Sequence, residues 1–563
     1  MTERTCDVVI VGAGAAGMTA AATAAVHGCD VVVVEKTDLV GGNTSFSGGM
    51  VYVPCNDKMA EAGQSDDPAA VMTYLDAAVP VPEGRSTRAL FVERGPEAIR
   101  FLEKNTDVRL KPVPFYPDYY PNLKGAAAGM RVLEPVAFDA ATLGSWFTKL
   151  RPPLPEFTIL GGMMVAREDL PHFRNMWRSP GSFVRATRLV GEYAMQRLKY
   201  HRGSRLVLGN ALAGRLLKSL LDLNVEIRTG CAVQEVIVDG GRAQGLRLME
   251  NGALSTVHAR RGVVLSTGGF SHSADKRREY LPPQASLESP FAPGSTGDGL
   301  DLGVAAGGRV GDDNANNAYW SPASVYMRAD GRKVVYPHTV TDRGKPGSIV
   351  VNSSGRRFTN EAISYHRFGE ALLQGNSETG NLPAWIVCDS SFIWKYGLGA
   401  IIPFTRNLRP YQDAGYLKTA SSLPELARML SVDESGFTAT VQNFNENAVQ
   451  GTDPDYRRGE DVYSRYLGDA DHGPNPCLAP LIKPPFHAIE LTLSDLGTAA
   501  GLRTDDTCRV LNETGDPIAG LYAVGNDMQS IMRGHYPGPG ITLGPALTFG
   551  YLAGLHVAGR DLR

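Results

Sequence analysis

Six residues near the start of the chain limit its fold more than any others: Gly12-Ala13-Gly14-Ala15-Ala16-Gly17. They follow a β-branched run, Asp7–Gly12 (DVVIVG), and open an alanine-rich stretch, Ala15–Val26. A second apolar run, Asp30–Glu35 (DVVVVE), comes next. Strand, tight turn, helix and strand in this order begin a parallel nucleotide-binding sheet, and unbroken apolar runs suit strands buried on both faces. In such a unit Gly12 permits the turn, Gly14 and the backbone at Ala16 approach a diphosphate, and Gly17 lets helix and strand pack closely. The helix N-terminus presents free N–H groups and a partial positive charge to the phosphates. Glu35 stands where a carboxylate accepts hydrogen bonds from ribose hydroxyls.

Two later segments, Arg261–Ser266 (RGVVLS) and Leu521–Gly525 (LYAVG), read as strands of the same sheet. The second lies near the C-terminus, so the nucleotide-binding domain opens, is interrupted and closes. The expected fold is α/β: a Rossmann-type domain with a parallel sheet, residues 1–318 and 491–563, and an inserted α+β catalytic domain, residues 319–490. A length of 563 residues suits two domains.

The net charge of −3 gives no electrostatic case for a nucleic-acid partner. Seven cysteines (Cys6, Cys29, Cys55, Cys231, Cys388, Cys477 and Cys508) are scattered without a CxxC pair, so neither a disulfide framework nor a metal site is expected. The first strand begins at about Cys6, leaving no room for a signal peptide, and no long apolar run reaches a membrane-spanning length. The chain therefore reads as cytoplasmic. Arg151–Arg205 differs from the rest: ten Lys/Arg stand against four Asp/Glu, interleaved with Phe157, Met163, Met164, Phe173, Met176, Trp177, Phe183 and Tyr193. Such a segment either lies on the anionic inner face of a membrane or packs its apolar residues on the main body.

Directly after Glu35 come Lys36 and the loop Gly41-Gly42-Asn43-Thr44-Ser45-Phe46-Ser47-Gly48-Gly49. Glycines and small hydroxyls let a chain run against a flat ring system while supplying short donors. This loop resembles the flavin-contacting segment of the fumarate reductase-like FAD superfamily. Thr267-Gly268-Gly269-Phe270 and Gly525-Asn526 resemble two further signatures of it. The resemblance implies FAD, held by these residues together with Val233, Gly540, Thr542 and Leu543. The loop has no histidine to attach flavin and the chain no CxxCH haem motif. The expected FAD is therefore non-covalent, and its electrons leave to an external quinone-like or dye acceptor.

Asn352-Ser353-Ser354-Gly355-Arg356-Arg357-Phe358-Thr359-Asn360-Glu361 resembles another signature of the superfamily. Four residues on, where fumarate reductases carry an arginine proton donor, stands Tyr365. A guanidinium suits a dicarboxylate; a phenol suits a neutral substrate, which demotes fumarate or urocanate reduction. Two more tyrosine clusters sharpen the reading: Phe115-Tyr116-Pro117-Asp118-Tyr119-Tyr120-Pro121, and His535-Tyr536-Pro537-Gly538-Pro539-Gly540-Ile541-Thr542. With SDLGTAAGLRTD and YPGPGITLGPALTFGYLAG, they make the whole chain resemble the bacterial 3-ketosteroid Δ1-dehydrogenases.

That resemblance implies FAD-dependent 1,2-desaturation: a proton passes from C2 to a tyrosine base and a hydride from C1 to flavin N5. Tyr365 matches the base, Tyr119 its supporting phenol, and Tyr536 with the Gly540 N–H the clamp on the C3 carbonyl, while Tyr319, Tyr116 and Pro539 would line the pocket. Tyr119 is preferred to Tyr116 and Tyr120 by the Asp–Tyr order. Tyr319-Trp320 and Ala499-Ala500 depart from the family's usual Trp–Trp and Lys–Gly. His366 and His535 flank two of these tyrosines and read as packing residues. A phenol ionises near pH 10; a hydrogen bond from Tyr119 would favour phenolate, and apolar burial would oppose it. A Δ4-(5α)-3-ketosteroid dehydrogenase shares the fold and is the nearest competing reading. A non-catalytic flavin-binding or membrane-docking protein is the competitor of another class.

Overall fold

The computed structural model describes residues 2–250, 252–375 and 380–560. Five strands run parallel in its larger sheet, in the order Glu226–Thr229, Val31–Glu35, Thr2–Val11, Ala253–Leu265, Pro517–Ala523. The antiparallel strands Cys231–Asp239, Arg242–Glu250 and Arg509–Leu511 complete it. All four runs expected to share a sheet do so. Their registers, Val8 opposite Val31 and Val263 opposite Leu521, bury valines on both faces, as a sheet covered by helices requires.

The helix Ala15–Val26 follows the first strand as the sequence implies. Its small residues let a second helix, Leu543–Val557, come close: a Cβ on Gly550 would lie 2.6 Å from the Ala16 carbonyl oxygen, and one on Gly554 2.6 Å from the Thr23 Cβ. Glycine on one helix and alanine or threonine on the other thus bring the C-terminal segment against the dinucleotide unit.

The second sheet is antiparallel, ordered Lys333–Pro337, Ala318–Met327, Phe486–Thr498, Ala384–Asp389, Ser348–Val351, with Lys418–Ala420 alongside Phe486–Thr498. The strands by which the chain enters and leaves this sheet are paired neighbours, Ala318 opposite Thr498. A border at Leu491 cuts through the second of them. A small three-stranded sheet, Val51–Tyr52, Leu110–Pro112 and Val132–Pro135, carries the loop that holds Tyr116 and Tyr119.

Residues 151–205 form a two-residue hairpin and two helices, Leu170–Arg174 and Pro180–Arg197. Met163, Leu189 and Tyr193 make a small apolar cluster there, Phe157 packs near Tyr336, and Glu156 lies 3.7 Å from Arg328 of the second sheet. Trp177, Val184, Met195 and Leu198 stay exposed. No helix among the described residues is long and apolar enough to cross a membrane.

Candidate active site

A cavity opens along the C-terminal ends of the parallel strands, the edge at which open α/β sheets bind their ligands. Gly12, Gly14, Ala16 and Glu35 line it, as do Gly42, Asn43, Thr44 and Ser47 of the glycine-rich loop. Gly268, Gly525, Asn526, Thr542 and Leu543 complete the part of its wall that the sequence nominates. The remaining nominees stand behind the wall. Gly17 is where a side chain would strike the Gly12 carbonyl oxygen at 2.2 Å, and Gly41, Gly49 and Gly269 hold positive φ in crowded turns. Gly48 lies next to Gly49, Lys36 is paired with Asp298 at 2.8 Å, and Val233 sits mid-strand opposite Leu248.

The cradle fits FAD on its own chemistry. Gly14, the residue preceding the first helix, has no side chain to cap it, and a Cβ on Gly42 would lie 3.6 Å from the Gly14 Cα, so side chains here would fill the channel. Glu35 accepts the N–H groups of Ala13 (3.1 Å) and Thr37 (2.9 Å), which fixes its carboxylate at the end of the second strand. Thr44 Oγ1 accepts the Ala15 N–H at 3.0 Å and locks the loop to the helix start.

Two residues of this cradle escaped the sequence reading. Asp527 accepts hydrogen bonds from Thr267 Oγ1 (3.0 Å), the Gly269 N–H (3.1 Å) and the Thr267 N–H, and so ties the two glycine turns together; burial raises its carboxyl to about 6. Its position directly after Gly525-Asn526 was the available signal. Arg151 lines the cavity although its surroundings in sequence read as a surface segment.

Beyond the cofactor channel the nominated tyrosines converge. Tyr119 Oη donates to Tyr365 Oη at 3.1 Å. The Tyr536 ring stacks on Tyr119 (5.6 Å between centroids) and meets Tyr365 (5.2 Å) and Tyr319 (5.1 Å) edge-on. Tyr116 is buried close by, its ring stacked on Tyr466. Tyr120 lies apart, beneath Arg367. One phenol that sequence alone did not single out, Tyr463, packs edge-on against Tyr119 at 4.9 Å.

Each position has a local cause. Tyr365 is the first residue of the helix Tyr365–Leu373, whose cap Ser364 accepts the Arg367 N–H. The turn before it is anchored by Glu361, which pairs with Arg357 (2.7 Å) and Arg458 (3.2 Å) and accepts the Val350 N–H (3.1 Å). The Asn–Glu motif is thus a buried mooring for Tyr365. Asp118, paired with Arg131 at 2.7 Å, orients the Tyr119 loop, and the Tyr119 N–H donates to the Pro537 carbonyl at 2.9 Å.

That bond ties the loop to the segment 536–540, where Pro539 is buried and Gly538 passes so near Tyr52 that a Cβ would lie 2.5 Å from its ring. Gly540 has φ +88° and Met50 O 2.3 Å from where a Cβ would sit, so only glycine serves there. Among the described residues no acceptor engages its N–H. His366 accepts the Trp320 N–H on Nδ1 at 3.0 Å and faces Glu370 at 3.5 Å; His535, half-buried, has its pKa lowered by burial.

Tyr319 hydrogen-bonds Ser530 and lines a second, smaller cavity, which shares Gly525, Asn526, Thr542 and Ala546 with the first. Burial is the largest influence on the phenols: it pushes Tyr365 and Tyr119 well above the ordinary tyrosine range, and the hydrogen bond from Tyr119 partly offsets it at Tyr365.

The family described as FAD binding domain matches residues 7–543. The chain is 36% identical to the 3-oxosteroid 1-dehydrogenase of Mycobacterium tuberculosis, over 99% of both proteins. It is 37% identical to the 4-oxocyclohex-2-ene-1-carboxylate 5-dehydrogenase of Sinomonas cyclohexanicum, over 98% of this chain and 94% of that one. Its fold superposes on the crystal structure of 3-ketosteroid delta1-dehydrogenase from Sterolibacterium denitrificans in complex with 1,4-androstadiene-3,17-dione with a TM-score of 0.92, at 35% identity over 99% of this chain and 100% of that one. The chain belongs to the FAD-binding flavoprotein family, in the branch of the 3-ketosteroid Δ1-dehydrogenases.

Proposed function

We propose that this protein is an FAD-dependent 3-ketosteroid Δ1-dehydrogenase. The observation that carries the reading is the Tyr119–Tyr365 phenol pair at 3.1 Å, against which Tyr536 packs. Tyr536 Oη and the Gly540 N–H would hold the C3 carbonyl oxygen and stabilise the developing enolate, at roughly 3 kcal/mol per donor. Polarisation there acidifies C2, and Tyr365 takes the C2 proton while Tyr119 donates into its phenolate oxygen. Bound FAD supplies the two-electron oxidant that accepts hydride from C1, and an external quinone-like or dye acceptor reoxidises the enzyme. Residues 12–16, Glu35, 42–47, Thr267–Gly269 and Gly525–Asp527 would hold the cofactor.

Regiochemistry follows from where the carbonyl is clamped, and an intact Tyr–x–x–x–Gly favours 1,2 over 4,5 desaturation. A neutral steroid is favoured over a small ring-ketone acid because, among the described residues, no lysine or arginine hydrogen-bonds Tyr119, Tyr365 or Tyr536. Arg343, the guanidinium acting on Tyr463, spends its N–H groups on the carbonyls of His338, Thr339 and Glu361. The test is anaerobic bleaching of the flavin band at roughly 450 nm. A 4-ene-3-ketosteroid should bleach it within seconds and 4-oxocyclohexanecarboxylate should not; the reverse order would defeat the steroid reading. The same reading divides the chain into a cofactor part and an inserted part, and the strand Phe486–Thr498 favours a second border near Thr498 rather than Leu491.

Residues 151–205 are proposed to touch an anionic bilayer. Supporting this, Trp177 is 81% and Leu198 88% exposed on a segment where Arg174, Arg178, Arg197 and Lys199 are also exposed. Changing Trp177 and Leu198 together to serine should weaken partitioning onto phosphatidylglycerol vesicles, read by co-sedimentation, by about a hundredfold or more, since each forfeits roughly 1.5–3 kcal/mol of burial. Equal sedimentation of parent and variant would remove the membrane from the reading.

A further inference from the structure

Arg151 sits in the cofactor cavity under conditions a guanidinium rarely tolerates. It is 7% exposed, its Nη2 donates to Thr37 Oγ1 at 2.9 Å and Leu39 O at 3.4 Å, and its charged carbon lies 5.9 Å from the Phe46 ring centroid. Its Nε is buried with no hydrogen-bond partner. Among the described residues Glu35 is the acid that acts on it electrostatically, and that carboxylate is already committed to the N–H groups of Ala13 and Thr37. A buried cation with an idle donor and no ion pair is costly unless a counter-charge arrives.

Among the described residues that line this cavity, Arg151 is the one lysine or arginine, and it shares the wall with Gly12–Ala16 at the helix N-terminus. Its backbone is held as firmly as its side chain. The Arg151 N–H donates to Val40 O at 2.9 Å, and its carbonyl accepts Asn210 Nδ2 at 2.7 Å. Asn210 in turn takes Arg202 Nη1 at 3.0 Å, so both ends of the 151–205 segment are fastened to the loop that begins the cofactor cradle. Such pre-organisation suits a ligand-binding group more than a loose surface arginine.

We propose that Arg151 is a direct ligand of the FAD diphosphate, supplying the positive charge and the donor that the glycine turn and helix terminus lack. This rests on FAD occupying the cavity, and a parent protein purified without FAD would defeat that reading rather than this one. The test uses holoenzyme, following FAD release on dilution by flavin fluorescence and the bound diphosphate by ³¹P NMR. Arg151→Met should release FAD about tenfold faster or more, the loss expected for one charge-assisted hydrogen bond. Arg151→Lys, which keeps the charge but loses the fork, should stay within about threefold of the parent. Both should move the ³¹P resonances while the flavin absorption band keeps its shape. Release from Arg151→Met within about twofold of the parent, or unmoved ³¹P resonances, would overturn the assignment. Should Arg151→Met not fold, the ³¹P spectrum of Arg151→Lys decides alone: shifted resonances support the contact and unshifted ones refute it.

Discussion

Tyr365→Phe should lower the rate of anaerobic flavin reduction by a 4-ene-3-ketosteroid about 10³-fold, the range of a lost general base, while the protein stays yellow. The substitution removes one oxygen and keeps the ring that meets Tyr119 at 5.4 Å and Tyr536 at 5.2 Å, so the pocket should hold its shape. Stopped-flow reduction at saturating steroid gives the comparison, and a variant within about tenfold of the parent would show that another group takes the proton.

The pH dependence follows from the same phenol. Burial first, and the neighbouring phenols Tyr536 and Tyr116 next, hold the Tyr365 pKa well above its usual value of 10, and Tyr119 draws it back only in part. On the proposed mechanism phenolate is the acting form, so the parent's rate should climb with pH through neutrality without levelling off below about pH 10, and Tyr365→Phe should lose that slope. For stability the sign is opposite. A raised folded-state pKa means the buried phenols favour the fold fully below the unfolded tyrosine value of about 10, and that contribution is lost as pH rises beyond it. Thermal melts across the alkaline range should show the fall.

Gly12→Ala should yield a colourless protein. Gly12 has φ +103°, and a Cβ there would lie 2.4 Å from the Ser266 carbonyl oxygen. The left-handed backbone costs an alanine roughly 1–2 kcal/mol and the backbone collision about 1–3 kcal/mol more. Relief means moving the turn that aims the Gly14 backbone and the helix terminus at the cofactor. FAD content, read from the ratio of flavin to protein absorbance, should fall more than about tenfold. Gly28→Ala is the control: its φ is +84° but nothing lies within 4 Å of an added Cβ, so it bears the backbone strain without the collision and should keep its flavin. Equal loss in both would mean that general destabilisation, not cradle geometry, empties the site.

The dinucleotide unit was legible in the sequence because its constraints are local: a turn that only glycine allows, an acid at a fixed strand end and uninterrupted valines each point to one structure. Tyr365 was legible through its offset from Asn360-Glu361, although the reason for the motif, a carboxylate shared by Arg357 and Arg458, is a long-range fact. Tyr463 and Arg151 were not legible. A tyrosine in a short helix and an arginine opening a basic stretch look like surface or packing residues until the chain brings them against Tyr119 and Glu35. Lys36 shows the converse: its place beside Glu35 nominated it for the cofactor, while its side chain turns to Asp298.

Tyr119 and Tyr365 come from different sheets, one on a loop of the small three-stranded sheet, the other on the segment between two strands of the antiparallel sheet. Their 3.1 Å contact therefore works as an interlock: the phenol pair exists only while the two parts are seated on each other. The ribbon of Ala318–Met327 with Phe486–Thr498, where the chain enters and leaves the second sheet, ties the two halves together through continuous strand pairing.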